Sequence, residues 1–158
     1  MKKLQKALLT SKLTVACAES CTGGLVAKLL TDLPGSSRVF KGGLVTYCDE
    51  MKNALLGVDA STLSTYHAVS RQTAEEMARG ALEKTGADVA VSTTGVAGPA
   101  GDDSGKPVGT VYIGLAVRTE EGLRVSAEEY RFSGSRNAVR RKAAREALRL
   151  LAEKALPQ

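Results

Sequence analysis

Three polar, glycine-rich segments carry the residues whose types and spacing could do chemistry. The first is Glu19-Ser20-Cys21-Thr22-Gly23-Gly24, between a short apolar stretch and a helical pattern. A strand-to-helix turn of this kind offers free N–H groups and the positive end of a helix dipole, which suits a phosphate or a developing oxyanion. Ser20 is one candidate nucleophile. Cys21 is its rival, because a helix N-terminus also favours a thiolate. The plainer reading makes Ser20 or Thr22 a helix cap, and the motif is neither a Walker loop nor a GxGxxG dinucleotide loop. The second segment, 42–52, opens with Gly42-Gly43 and carries Tyr47 and Lys52 five residues apart. If Asp49 caps the helix there, Lys52 sits in its first turn, where partial positive charge disfavours a cation. That placement lowers an amine pKa, as a lysine base requires, while Asp49 and Glu50 oppose it. The bland reading of Lys52 is a solvated side chain with no role. The third segment, 94–109, holds five glycines and two prolines in sixteen residues. It is expected to be an irregular loop of the kind that is commonly functional or mobile.

Other reactive side chains are scarce. His67 is the one histidine. This excludes the HExxH zinc helix, and a Ser-His-Asp triad could use only His67, which lies outside the three segments and reads as structural or surface. Cys17 alternates inward on a strand and reads as core, and Cys17, Cys21 and Cys48 lack the paired spacing of a zinc site. No metal or cofactor is expected. An odd count of three cysteines argues against a disulfide framework and for a reducing cytoplasm.

Periodicity indicates the elements that must position these groups. Leu4, Ala7 and Leu8 give an N-terminal helix an apolar stripe, and Leu13, Val15 and Cys17 alternate as a short strand. A helix through Leu25, Val26, Leu29 and Leu30 stops at Pro34-Gly35. A strand spans Val39 to Tyr47, its Gly42-Gly43 pair marking a bulge or a close backbone approach. A short helix capped by Asp49 ends at Gly57. Ser70 caps a longer one that buries Ala74, Met77, Ala78, Ala81 and Leu82 and ends before Gly86. Asp88 to Thr93 reads as a buried strand, Val108 to Val117 and Leu123 to Phe132 as an antiparallel hairpin, and a last helix starts near Ser135. Helices alternating with strands, with one hairpin, indicate a three-layer α/β/α sandwich on a mixed sheet of about five strands. With no linker or repeat, the 158 residues read as a single domain, 1–158. Ligands of open α/β sheets bind outside the carboxyl ends of the strands, so one pocket lined by all three segments is the economical arrangement.

Composition narrows the partners. No apolar run is long enough to span a bilayer, and no secretory h-region follows the start. The formal charge of +5 is concentrated at one end, since residues 131–158 carry a net +6 and the remainder a net −1. Such an end can meet nucleic acid, a phosphorylated small molecule or only water. With no Trp, two Phe and four Tyr, little is available to stack on single-stranded nucleic acid.

The motifs resemble a known family. Ala18-Glu19-Ser20-Cys21-Thr22-Gly23-Gly24, Pro34-Gly35-Ser36-Ser37, Gly43-Leu44-Val45-Thr46-Tyr47 and Lys52 are similar to the CinA C-terminal domain family. The likeness continues through Ser92-Thr93-Thr94-Gly95-Val96-Ala97-Gly98-Pro99, Lys106-Pro107-Val108-Gly109-Thr110-Val111 and Phe132-Ser133-Gly134-Ser135-Arg136, nearly the whole chain in order. Active members are nicotinamide-nucleotide amidohydrolases, which convert nicotinamide mononucleotide and water to nicotinate mononucleotide and ammonia in pyridine nucleotide salvage. The resemblance implies Ser20 as nucleophile with Tyr47 and Lys52 as its activating partners. It also implies substrate contacts from Thr22, Gly23, Ser37, Gly42, Gly43, Thr94, Gly95 and Arg136, a stand-alone form, and a homodimer or larger assembly. This chain has Ser135 where an aspartate often precedes the arginine, and Asp102-Asp103 replaces a glycine-rich turn.

These residues permit a mechanism in which neutral Lys52, directly or through Tyr47, takes the Ser20 proton. Ser20 then attacks the carboxamide, and N–H groups near Cys21 to Gly23 receive the oxyanion. Arg136 and Arg140, one turn apart, can face the same pocket and hold a 5′-phosphate, while Arg141, Arg145 and Arg149 form a separate solvated or intermolecular stripe. A non-catalytic nucleotide-binding or regulatory module is the second reading. A nucleic-acid binder is the third, with aromatic poverty against it.

Overall fold

The computed structural model describes residues 2–32 and 34–155. A five-stranded mixed sheet runs in the order β2-β1-β3-β4-β5, built from β1 (Val15–Glu19), β2 (Phe40–Val45), β3 (Val89–Gly95), β4 (Thr110–Thr119) and β5 (Gly122–Arg131). β1 pairs in parallel with both β2 and β3, whereas β4 runs antiparallel to β3 and β5. One apolar layer joins the sheet to α1 (Lys2–Ser11), α2 (Leu25–Thr31) and α6 (Arg136–Ala155) through Leu8, Val26, Leu30, Val139, Ala143 and Leu148. The other joins it to α3 (Asp49–Leu56), α4 (Ala60–Tyr66) and α5 (Arg71–Thr85) through Leu56, Leu63, Met77, Ala78 and Leu82. This is the three-layer α/β/α arrangement.

Local chemistry sets most boundaries. The Ser70 hydroxyl accepts the Thr73 N–H and starts α5, and Gly86, at φ +67°, ends it. The apolar positions expected to face the core, Ala74, Met77, Ala78, Ala81 and Leu82, are all buried. Ala7 and Leu8 of α1 are buried too, while the side chain of Leu4 lies outside the described residues. Every residue of β1 is buried, because a central parallel strand is covered on both faces and cannot alternate inside and outside.

Three details differ from the sequence expectation. Cys48 is the residue before α3, and its carbonyl accepts the Lys52 N–H at 3.1 Å, so Asp49 is the first helical residue and not the cap. The segment before His67 forms α4, started by Asp59, whose carboxylate accepts the Ser61 N–H at 2.8 Å. A 3-10 turn, Ser36–Arg38, precedes β2.

The Gly42-Gly43 pair shows both features that a strand glycine can signal. The β1–β2 register slips between Val15 and Ala16, and a Cβ at Gly43 would lie 2.7 Å from Cys17 Sγ and 3.2 Å from Ala27 Cβ. Gly43 thus lets β2 and α2 close on the strand that carries the first chemical segment.

Candidate active site

The parallel strands β1, β2 and β3 end on the same side of the sheet, and a pocket of ≈ 180 Å³ opens there. The turn after β1 supplies Ser20 and Cys21, the β2–α3 connection supplies Tyr47, Asp49 and Lys52, and the end of β3 with its following loop supplies Thr94, Gly95, Ala97 and Asp102. Arg136, the first residue of α6, and Ala68-Val69 complete the wall.

Lys52 is the unusual member. Its side chain is only 1% exposed, and its ammonium nitrogen donates to the Thr46 carbonyl at 3.1 Å. The Asp49 carboxylate stands 3.9 Å away and is itself half exposed. Burial pushes the Lys52 pKa below the ordinary lysine value, and Asp49 is the largest opposing influence. The depression therefore comes mainly from desolvation in the folded protein. Nearby, the buried Thr46 hydroxyl has no hydrogen-bond partner among the described residues.

Ser20 is partly exposed, and its N–H donates to the Thr93 carbonyl at 2.9 Å, which ties the turn to β3. Its hydroxyl has no hydrogen-bond partner among the described residues, so Ser20 and Lys52 share the pocket wall with no hydrogen bond between them. Cys21 is 5% exposed, and burial pushes its thiol up to about 12. On that value the thiolate fraction at neutral pH is on the order of 10⁻⁵.

Tyr47 is 59% exposed at the mouth, and its hydroxyl accepts from Arg136 Nη2 at 2.6 Å. Arg136 Nη1 donates to the Gly98 carbonyl at 2.7 Å and so joins α6 to the glycine-rich loop. Thr94 is buried, its hydroxyl donating to the Ala68 carbonyl at 2.7 Å, and Gly95 lies where a Cβ would meet the Thr110 carbonyl at 2.6 Å.

The other expected contact residues do not line this pocket. Thr22 points inward and hydrogen-bonds Glu19 and Thr93, and Ser37 is exposed on its 3-10 turn. Gly42 and Gly43 serve β2. Gly23 backs onto Arg140, since a Cβ there would lie 3.0 Å from Arg140 Nη2. The one-turn spacing of Arg136 and Arg140 does not bring both to the pocket. Arg140 instead donates to the carbonyls of Cys21 at 3.2 Å and Thr22 at 3.1 Å.

The sequence reading missed Glu19. It is fully buried, and its carboxylate accepts from the Thr22 hydroxyl at 2.6 Å and from the N–H groups of Gly24 (3.0 Å), Val26 (3.0 Å) and Ala27 (2.8 Å). Gly24 is the backbone cap of α2 and no side chain at Ser20 or Thr22 caps it, so Glu19 from the strand supplies the anion. The N-terminus of α2 is therefore occupied by protein. The only available signal was an acidic residue at the junction of an apolar strand and a helix.

His67 is exposed at φ +66° beyond α4 and, although it precedes the wall residues Ala68-Val69, does not itself line the pocket. Among the described residues no three His, Cys, Asp or Glu side chains group as a metal site, and no helix is long and apolar enough to cross a membrane.

Fold and site together define an α/β domain with a small polar pocket at the carboxyl ends of its parallel strands. Residues 1–155 match the CinA C-terminal domain, and the chain belongs to that family. It is 55% identical over 131 residues to a CinA-like protein of Chlorobaculum tepidum, covering 82% of this chain and 31% of that protein. It is also 55% identical over 130 residues to "Nicotinamide-nucleotide amidohydrolase PncC" of Enterobacter agglomerans, covering 82% of this chain and 77% of the relative. The chain thus spans about a third of the length of the CinA-like relatives it matches. The crystal structure of competence damage-inducible protein A from Klebsiella pneumoniae superposes with a TM-score of 0.90 at 36% identity, covering 97% of this chain and 92% of that one. That of the competence/damage inducible protein CihA from Agrobacterium tumefaciens gives 0.85 at 40% identity, covering 96% and 94%.

Proposed function

We propose that the protein is a nicotinamide-nucleotide amidohydrolase, releasing ammonia from nicotinamide mononucleotide by a Ser20 nucleophile with Lys52 as its base. The observation that carries this reading is a buried lysine with a depressed pKa on the wall that also bears Ser20. Its neutral form takes the Ser20 proton, directly or through a water, as the Ser20 oxygen attacks the carboxamide carbon. Catalytic hydrogen bonds are commonly long until substrate is bound, and Lys52 Nζ leaves the Thr46 carbonyl to make this one. The Cys21 N–H, on the pocket wall beside Ser20, receives the oxyanion. The Lys52 ammonium then returns its proton to the leaving nitrogen, ammonia departs, and water hydrolyses the acyl ester to the carboxylate.

Arg136 binds the 5′-phosphate at the pocket mouth, where its contact with Tyr47 orients the guanidinium. Tyr47 therefore acts on the phosphate end as well as bordering the nucleophile. The PncC relative's name supports the choice of substrate, and the protonated state of Cys21 supports serine over the neighbouring thiol. The odd count of three cysteines supports a cytoplasmic setting for this reaction.

Ammonia release from nicotinamide mononucleotide, with nicotinamide riboside and free nicotinamide as controls, tests the reading. Ser20→Ala is expected to lose on the order of 10⁶ in turnover, as for a nucleophile acting within a unit, while product binding persists. Cys21→Ala is expected to stay active. An active Ser20→Ala with a dead Cys21→Ala would overturn the nucleophile assignment.

A further inference from the structure

The turn that carries the nucleophile is held at both its donors and its acceptors by side chains outside the pocket. On the donor side, the Glu19 carboxylate takes the N–H groups of Gly24, Val26 and Ala27 and the Thr22 hydroxyl. The Gly23 N–H is also used, bonding the Ser20 carbonyl at 3.1 Å. On the acceptor side, Arg140 takes the carbonyls of Cys21 and Thr22. The Cys21 N–H, which directly follows the nucleophile and lies on the pocket wall, is bound by neither of these side chains.

We propose that Glu19 and Arg140 are positioning residues that hold the 20–24 turn so that Ser20 and the Cys21 N–H stay aimed at the reacting carboxamide. The inference rests on the amidohydrolase reading above. Three features of the arrangement favour it. Glu19 satisfies the end of α2 with a fixed buried anion, so the dipole of that helix is spent on protein and the Cys21 turn amide carries the oxyanion. The carboxylate is fully buried and accepts four hydrogen bonds of 2.6–3.0 Å, which leaves the turn little freedom to rotate its peptide planes. Arg140 binds the carbonyls of Cys21 and Thr22, which fixes the peptide planes that directly follow Cys21.

This assigns Arg140 a role different from that of Arg136, although both are arginines on one face of α6. Arg136 lines the pocket and is placed for the phosphate, whereas Arg140 grips backbone behind the nucleophile. Misplaced oxyanion donors penalise the transition state and leave ground-state binding alone, so the two arginines separate in steady-state kinetics.

Wild-type enzyme is first assayed for ammonia release from nicotinamide mononucleotide, because an inert wild type sinks the functional reading itself. Given an active wild type, Glu19→Gln and Arg140→Met are each expected to lower kcat by about 10–10³-fold. KM, and the affinity for nicotinate mononucleotide by calorimetry, should stay within about three-fold. The pH midpoint of kcat should be unmoved, since neither residue is the base. Wild-type kcat in both variants overturns the proposal. So does a rise in KM that matches or exceeds the fall in kcat, which would make Arg140 a substrate ligand. Circular dichroism and thermal melts check folding, and if Glu19→Gln does not fold, Arg140→Met decides by the same criteria.

Discussion

Replacing Lys52 by methionine should leave the protein at least as stable and remove most of its activity. The side chain is 1% exposed, with one hydrogen bond, to the Thr46 carbonyl, and a carboxylate 3.9 Å away that is half in solvent. Methionine has similar length and no charge to desolvate. Exchanging a poorly compensated buried ion for a hydrophobic side chain stabilises by about 1–4 kcal/mol. Against this, the Thr46 carbonyl loses its donor, at about 1 kcal/mol. The net is roughly 0–3 kcal/mol in favour of Lys52→Met at neutral pH. At about 2–4 °C per kcal/mol for a chain of this size, a mid-range gain raises Tm by about 3–6 °C.

The pH dependence carries its own sign. Burial lowers the Lys52 pKa in the fold from the ordinary value of 10.5. Between the folded value and 10.5 the unfolded chain holds the proton and the fold releases it, so wild-type stability rises with pH across that window. The methionine variant has no such proton, and its advantage should shrink as pH climbs. Urea unfolding of both proteins at about pH 7 and about pH 10 measures the two gaps, while ammonia release should fall by about 10²–10⁴. A variant less stable than wild type at neutral pH, or a gap that ignores pH, refutes the desolvated amine. An active variant refutes the base.

Arg136→Ala should raise KM for nicotinamide mononucleotide by about ten-fold or more and change kcat less, because a charge-assisted phosphate contact is about 1.5–3 kcal/mol of binding; an unchanged KM excludes the phosphate assignment. Gly80→Ala in α5 should destabilise by about 3 kcal/mol or more, since the new Cβ would lie 1.9 Å from the Leu56 carbonyl oxygen and force α3, which carries Lys52, off α5. Urea titration reads that loss, and a change under 1 kcal/mol would mean that α3 shifts freely.

Legibility in the sequence followed the range of the interaction that fixes each element. The α5 helix was readable because its cap at Ser70, its apolar repeat and its terminal Gly86 are local and agree. The β4–β5 hairpin was readable for the same reason. The α4 helix was not, because Ala60–Tyr66 is short and has no apolar repeat, although Asp59 two residues before Ser61 was a start signal. At the Asp49 position the first acidic residue looked like the cap. The structure gives that place to Cys48, which contributes backbone alone, with no side-chain bond.

The site divides along a similar line. Convergence of three segments on one pocket was legible because strand ends in an α/β sheet face one way, a rule of topology that needs no side-chain detail. The roles of Glu19 and Arg140 were hidden because each depends on what a distant element presents. In the sequence Glu19 is one acid beside a serine, and only the closure of α2 against β1, permitted by Gly43, brings three N–H groups to its carboxylate. Arg140 sits one turn beyond Arg136, and helical spacing alone assigns both to one pocket. Yet the Cys21 and Thr22 carbonyls, more than a hundred residues away in sequence, capture its guanidinium. An arginine near a nucleotide pocket is thus better classified by its acceptors than by its helix face: carbonyl acceptors in the nucleophile turn point to control of kcat, and an open pocket wall points to control of KM.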